Sequence, residues 1–403
     1  GKYTFMILED LYREFGIPKY KRPKQNIIDD GSIIRTGSLE IEVLSSSHTC
    51  FDSFGFIIRT PNTTVYHSGD MKIDSSTYFR KATNTKRLKQ LAADIKFAVT
   101  DFYGIYDDGY AVKEVTTFKK LVCLMRKSRK GKIFLPVYPT HPEMYIIAFL
   151  AALKLKKNVI FFGNPDFYSY LQRIIDYGIS FDKMAGKRIK VIYNHDRDEI
   201  AKLKDNYVVI GTYNHVSQAF DANAENCFGI ITAKTFFNPL KGQLNAHNIS
   251  FTDVDAVPEL QGFGHGFLGD YEYLNFILNR PVFIPTHCPV FVIDNFRELA
   301  AYMNMKLLPD TPRNNEIYRL KGSEAVKVSA LPAKWLVVVY NDDFAYLTEV
   351  FQKGTSGMGF LKRTISNRRC QKHFKMFLHQ RRKGACELPP KIFRKPFVYR
   401  EPQ

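Results

Sequence analysis

The stretch FGFIIRTPNTTVYHSGDMKID, residues 54–74, decides how the rest of the chain is interpreted. Its apolar and β-branched residues, interrupted by turn residues, predict two short strands that end near His67. His67, Gly69 and Asp70 then crowd together directly after the second strand. An aspartate at such a position is a candidate metal ligand, so the remaining ligands must come from elsewhere in the chain.

Strand and helix patterns alternate through the middle of the sequence. IKFAVTDF is an apolar strand that ends in an acid, and VKEVTTFKKLVCLMRKSRKG has helical spacing and a terminal glycine. The segments KIFLPVYP, NVIFFGN, RIKVIY and YVVIGTY predict further strands, with helices at PEMYIIAFLAALKLKK and PDFYSYLQRIIDYG. Helices YEYLNFILNR and IDNFRELAAYMNM flank a strand, PVFIPTH. This alternation predicts an α/β fold with substantially parallel pairing.

Charge is unevenly distributed along the 403 residues. The net charge is +18, and residues 353–403 alone hold fourteen Lys and Arg against two Glu, or +12. A basic tail of this kind indicates a nucleic-acid binder. The six cysteines form no C-x-x-C pair, which favours a reducing compartment over a zinc ribbon or a disulfide framework. No apolar run is long enough to predict a membrane span.

The ten histidines include no H-x-H pair and no H-E-x-x-H motif. A two-metal hydrolase holds its cations about 3.5–4 Å apart, and closely spaced His and Asp residues supply most of its ligands. Those pairs are missing here. The sequence begins at Gly1, and both processing and a missing N-terminal segment are compatible with that start.

SSSHTCFDSFGF followed by VYHSGDMKID resembles the metallo-β-lactamase fold of the RNase J branch, the β-CASP ribonucleases. VTDFYG lies where that family has an acidic motif, and FGHGFLGDYEYLNFILNRPVFIPTHCPV is similar to its later histidine motifs. The resemblance covers roughly residues 1–325. It implies that His48, Asp70 and His287 are metal ligands and that His265 contacts the substrate phosphate.

Three departures from the family pattern affect the functional prediction. The H-x-H-x-D-H motif would lie just upstream of Gly1, GTYNHVSQAF replaces a phosphate-contacting glycine-rich loop, and HCPV replaces H-G-E. With only three ligands left, the site is expected to be vestigial. No cofactor is therefore expected, with zinc as the alternative.

The resemblance implies a metallo-β-lactamase-type αββα sandwich that lacks its N-terminal part and carries an inserted β-CASP α/β domain. The expected domains are two metallo-β-lactamase-like parts at residues 1–110 and 241–328, a β-CASP-like domain at 111–240, and a basic helical tail at 335–403. SALPAK, residues 329–334, is the expected linker to the tail.

The tail resembles the family of the twenty-first protein of the bacterial small ribosomal subunit. A V-x-V strand, an apolar pair at Phe344 and Phe351 in a first helix, a GFL hinge at Gly359 and a basic region carry this resemblance. The predicted RNA-binding residues are Lys362, Arg363, Arg368, Arg369, Lys372, Lys375, Arg381, Arg382 and Lys383.

These resemblances predict a structural constituent of a small ribosomal subunit, most simply mitochondrial, with a degenerate and non-enzymatic body. Its expected partners are rRNA and neighbouring ribosomal proteins, without a membrane or a small-molecule substrate. The alternative is a zinc-dependent RNase J-type ribonuclease of the bacterial cytoplasm whose missing motif lies upstream of Gly1. A free RNA-binding processing or assembly factor is a third possibility.

Overall fold

The computed structural model describes residues 1–128, 131–138, 141–193, 206–212, 227–232, 238–262, 264–288, 290–313, 316–330, 334–340 and 345–351. The chain divides into two compact units, the first comprising Gly1–Leu307 and the second beginning at Leu308. Helices occur together with parallel and antiparallel strands, which confirms the predicted α/β class.

The first unit contains two β-sheets and the helices that pack on them. Its strands are β1 (Ile33–Thr36), β2 (Leu39–Ser46), β3 (Ser53–Arg59), β4 (Thr64–His67), β5 (Ile95–Asp101), β6 (Lys132–Pro136), β7 (Asn158–Phe162), β8 (Val191–Tyr193), β9 (Tyr207–Gly211), β10 (Cys227–Ile230), β11 (Ser250–Thr252), β12 (Val282–Thr286) and β13 (Lys306–Leu307). Its helices are α1 (Lys2–Glu14), α2 (Thr85–Leu91), α3 (Glu114–Lys127), α4 (Pro142–Lys154), α5 (Pro165–Tyr177), α6 (Phe181–Ala185), α7 (Asn238–Ala246), α8 (Leu268–Ile277) and α9 (Val290–Tyr302).

The first sheet has the order β1-β2-β3-β4-β5-β12-β13. Strands β1 to β4 form an antiparallel meander, whereas β4, β5, β12 and β13 run parallel. The side chains of Ile57, Phe97 and Phe283 are fully buried on this sheet, and α2, α8 and α9 contribute to the same core. The parallel half matters for the site, because neighbouring parallel strands end at the same edge.

The second sheet, with the order β11-β10-β6-β9-β7-β8, is parallel throughout. Strands β6 and β9 are buried along their whole length, as expected for parallel strands covered by helices on both faces. Helix α4 is apolar on nearly all sides and buries ten of its residues, so it lies in the core rather than at the surface. In sequence, all of this sheet lies between β5 and β12 of the first.

The second unit contains two antiparallel hairpins, β14 (Glu316–Lys321) with β15 (Glu324–Ala330) and β16 (Lys334–Tyr340) with β17 (Ala345–Phe351). The predicted helix that begins at Phe344 and reaches Phe351 is therefore wrong over β17. Val337 pairs with Thr348 and Val339 with Tyr346, and such β-branched and aromatic residues favour cross-strand pairing over helix. The predicted RNA-binding residues from Lys362 to Lys383 lie outside the described residues.

None of the helices in the described part of the chain is long and apolar enough to cross a membrane.

Candidate metal centre

The carboxyl ends of β4, β5 and β12 meet at one edge of the first sheet. Thr286, the last residue of β12, is in register with Asp101, the last residue of β5. His67 at the end of β4 pairs with Val99, and Asp70 follows three residues later. Parallel pairing therefore brings Asp70, Asp101 and the residue after Thr286, His287, to the same place.

Asp70, Asp101, His265 and His287 each offer one ligand atom, and these four atoms lie within 4.8 Å of one another. Nδ1 of His265 is 2.5 Å from Oδ2 of Asp101. Nδ1 of His287 is 3.3 Å from Oδ1 of Asp70 and 3.4 Å from Oδ1 of Asp101. Asp101 is buried, whereas the Asp70 side chain is 46% exposed, so the cluster opens to solvent on the Asp70 side.

Backbone features fix the two carboxylates. Gly69 has a φ of +59°, and a Cβ there would lie 2.7 Å from the backbone oxygen of Phe54. Only glycine fits this turn without strain, and the turn places Asp70 at the sheet edge. The backbone N–H of Tyr103 donates to Oδ1 of Asp101 at 2.9 Å, and that of Met71 donates to Oδ2 at 3.3 Å.

The electrostatics of the cluster favour a bound cation. Burial disfavours the charged form of Asp101, but its contacts with His265 and His287 outweigh burial and hold its pKa well below the usual range. His287 likewise lowers the pKa of Asp70. The carboxylates of Asp101 and Asp70 in turn raise the pKa of His287 to about 10. The two carboxylates thus attract positive charge strongly, whether it is a proton or a metal ion.

The donor set fits a divalent metal. Two carboxylates and two neutral imidazoles carry a charge of −2, and both ligand types are common for zinc in proteins. The buried Nδ1 of His287 makes no hydrogen bond of acceptable direction to any described residue, although it lies near two carboxylates. A cation between these groups would satisfy that nitrogen.

His48 lies beside the cluster. Its Nε2 is 3.9 Å from Oδ2 of Asp70, and its ring meets the ring of His265 edge-on with centroids 5.0 Å apart. Burial, together with the neighbouring His265, lowers the pKa of His48 to about 3, so His48 is a neutral potential ligand. A Cβ on Gly264 would lie 2.5 Å from Cδ2 of His48, so this glycine is what lets the two segments approach.

The structure thus brings together His48, Asp70, His265 and His287, all four of which the sequence singles out. Their individual roles stay predictions. Sequence reasoning missed Asp101 as a candidate ligand, although its signal was present in an apolar strand that ends in an acid. Asp101 and His265 are 164 positions apart, and local spacing gives no sign of their contact.

Comparison with known proteins supports similarity to RNase J-like proteins. The chain is 23% identical over 360 residues to Ribonuclease J of Thermus thermophilus, an alignment that covers 82% of this chain. The chain spans about 60% of the length of that curated relative. A crystal structure of a protein of unknown function from Enterococcus faecalis V583 shares the fold, with a TM-score of 0.51 and 17% identity over 77% of this chain and 73% of that one. No protein-family profile matches the chain.

The similarity to Ribonuclease J overturns the predicted structural role in a small ribosomal subunit. It also removes the support for ribosomal proteins and rRNA as partners and for a mitochondrial ribosome as the location, because the relative is a bacterial ribonuclease. The physical reason for the error is that a +12 segment predicts contact with a polyanion but does not specify which one. The strand β17 removes part of the ribosomal resemblance as well.

Proposed function

We propose that this protein is a metal-dependent hydrolase of RNA phosphodiester bonds, with an activity of the Ribonuclease J type. The observation that carries the proposal is the convergence of Asp70, Asp101, His265 and His287 at one sheet edge. The similarity to Ribonuclease J suggests the reaction and the class of substrate. Its bacterial source favours a bacterial over a mitochondrial location.

We propose further that the fold is a metallo-β-lactamase-type sandwich with an inserted β-CASP domain. The first sheet takes its strands from both sides of the second sheet in the sequence, as an insertion requires. We keep the boundaries near residues 110, 240 and 328 as part of the proposal. Strand β11, at Ser250–Thr252, pairs with β10 of the second sheet, so the connection back to the first sheet follows it.

Asp70, Asp101, His265 and His287 would hold the metal, and zinc suits this mixture of nitrogen and carboxylate ligands. A bound divalent cation supplies a Lewis acid that polarises a phosphoryl oxygen and favours ionisation of a water molecule. Asp101, held by two backbone N–H groups, fixes the orientation of His265 through their 2.5 Å contact. Asp70 lies on the open side, where substrate can approach.

His265 has two possible roles that binding measurements separate. As a ligand, it contributes to metal affinity. As the phosphate-contacting residue implied by the family resemblance, it contributes to substrate binding or turnover, and its removal leaves metal affinity nearly unchanged. Its contact with Asp101 would serve either role, because it fixes the imidazole ring.

We also propose that the basic residues from Lys362 to Lys383 contribute phosphate contacts to the RNA substrate. The proposal rests on charge alone: residues 353–403 carry +12. Such contacts add affinity without sequence preference and make binding sensitive to salt.

The test is cleavage of a labelled single-stranded RNA by the full chain with zinc or manganese, and with chelator. We expect cleavage that chelator abolishes, and a loss of about 100-fold or more in Asp70→Asn and His287→Ala, since each removes a ligand. Zinc affinity measured by calorimetry should fall in the same two variants. His265→Ala in the same titration assigns that residue to one of its two roles.

The matched control is His247→Ala, because His247 is an exposed histidine outside the cluster. It should cleave RNA and bind zinc as the wild-type chain does. Cleavage that persists unchanged in Asp70→Asn and His287→Ala would refute the proposal, since the activity would not depend on the cluster.

A further inference from the structure

The segment that follows β5 is firmly held although it lies at the surface. Phe102 and Ile105 are fully buried, and the backbone N–H of Phe102 donates to the oxygen of Thr286 at 2.9 Å. Further along, the N–H of Leu268 donates to the oxygen of Asp107 at 2.9 Å. The start of α8 and the end of β12 therefore fix this segment beside the metal centre.

This rigid segment exposes three aromatic rings within eight positions, namely Tyr103, Tyr106 and Tyr110. Tyr103 is the one in contact with the metal centre. Its ring centroid lies 4.7 Å from that of His265 and 5.2 Å from that of His287, with planes tilted by 33° and 35°. Because one side covers the two imidazoles and the residue is 56% exposed, the other side of the ring faces solvent.

We propose that Tyr103 is a stacking platform for an unpaired base of the RNA substrate, next to the phosphate at the metal centre. This inference rests on the proposed function and makes it more specific, since it restricts the substrate to single-stranded RNA. A base is joined through its ribose to the adjacent phosphate, so a ring in contact with two of the cluster histidines is well placed to meet it. Bases inside a duplex are already stacked on their neighbours and cannot offer a free face.

The charges of the same segment agree with contact to a base rather than to a phosphate. Asp107 and Asp108 lie between Tyr106 and Tyr110, and their carboxylates would repel the RNA backbone. An aromatic face attracts any base without needing a positive charge, and such stacking tolerates all sequences. The geometry thus separates two tasks, with the cluster at the phosphate and Tyr103 at the base.

A purely structural role for Tyr103 makes a different prediction. If the ring only holds His265 and His287 in place, its removal weakens zinc binding and leaves RNA binding without metal unchanged. If the ring stacks on a base, its removal weakens RNA binding even when chelator is present, and zinc affinity changes little.

The experiment measures binding of a short labelled single-stranded RNA to the full chain in chelator, where metal-dependent cleavage cannot occur. We expect Tyr103→Ala to bind about 5- to 100-fold more weakly than wild type and Tyr103→Phe to bind within about twofold, because phenylalanine keeps the ring. Tyr302→Ala is the matched control, since Tyr302 is a strongly exposed tyrosine on α9 and makes no part of the site. It should bind as wild type. A Tyr103→Trp variant should also lose indole fluorescence when single-stranded RNA is added, and not when a duplex of the same sequence is added.

The outcomes separate this inference from the proposed function. If wild type binds and cleaves RNA and Tyr103→Ala binds equally well, the inference is wrong and the proposed function stands. If binding depends on Tyr103 but no metal-dependent cleavage occurs, the inference holds and the proposed function fails. If wild type neither binds nor cleaves RNA, both are wrong.

Discussion

Replacing the buried Glu143 with glutamine should remove a pH dependence of stability. Glu143, at the start of α4, lies in a buried group of charges with Lys72, Asp74, Arg80 and Glu114. Arg80 pairs with Glu114, and Nζ of Lys72 is 3.7 Å from Oδ2 of Asp74, so these four charges balance. Glu143 is the unbalanced fifth, and burial raises its pKa to about 8.

The sign and the size of the effect follow from this pKa. The unfolded chain releases the Glu143 proton near pH 4.5, whereas the folded chain keeps it until about pH 8. The stability that this group contributes is therefore fully present below pH 4.5 and is lost as the pH rises towards 8. Between pH 5 and pH 8 the free energy of unfolding should fall by about 3 kcal/mol through Glu143 alone.

The assay compares denaturant unfolding of wild type and Glu143→Gln at several pH values from 5 to 8. Glutamine has nearly the shape of protonated glutamate and stays neutral, so the difference between the two proteins isolates this one group. We expect the variant to gain about 3 kcal/mol relative to wild type across this range. Glu259→Gln is the control, since Glu259 is exposed and its hydrogen bond with Lys120 lowers its pKa. Parallel pH curves for wild type and Glu143→Gln would show that Glu143 is already ionised in the folded chain, and the reasoning would fail.

Two further predictions concern the Asp70 turn and the basic segment. Gly69→Ala should lower the free energy of unfolding by about 2 kcal/mol or more and weaken zinc binding at the adjacent Asp70, because it adds backbone strain to a 2.7 Å approach to Phe54. Gly31→Ala is its control in denaturation and calorimetry: φ is +83° there, with nothing within 4 Å of the new Cβ, so only the strain component should appear. Deleting residues 353–403 should weaken RNA binding at low salt and flatten its salt dependence, as measured by fluorescence anisotropy at several salt concentrations. An unchanged salt dependence would show that these residues make no phosphate contacts.

Much of the first unit was predictable from local patterns. The apolar strand around Val208 and the helix that starts at Pro142 appear where the sequence places them, because strand and helix periods differ and proline marks a helix start. The error at β17 has the opposite origin. Spacing borrowed from a helical resemblance outweighed the local preference of Tyr346, Thr348 and Val350 for a strand.

The metal centre was predictable only in pieces. His48, Asp70, His265 and His287 each stand in a recognisable stretch, but no local signal says that their side chains converge. Convergence depends on β12 pairing in parallel with β5, so that Thr286 is in register with Asp101. That pairing joins strands about 180 residues apart, and the whole second sheet lies between them in sequence.

The position of Asp101 shows why an exhaustive search of the histidines led towards a vestigial site. Counting His48, Asp70 and His287 gave three scattered ligands, too few for strong binding. The parallel strand ends add Asp101, and its contact with His265 adds the fourth member of the group of four. Both additions come from the tertiary fold, since carboxylates at the ends of neighbouring parallel strands become neighbours in space whatever their distance in sequence. A strand that ends in an acid deserves to be weighed with its likely partner strands, and here that reasoning changes a degenerate site into a complete candidate for one divalent cation.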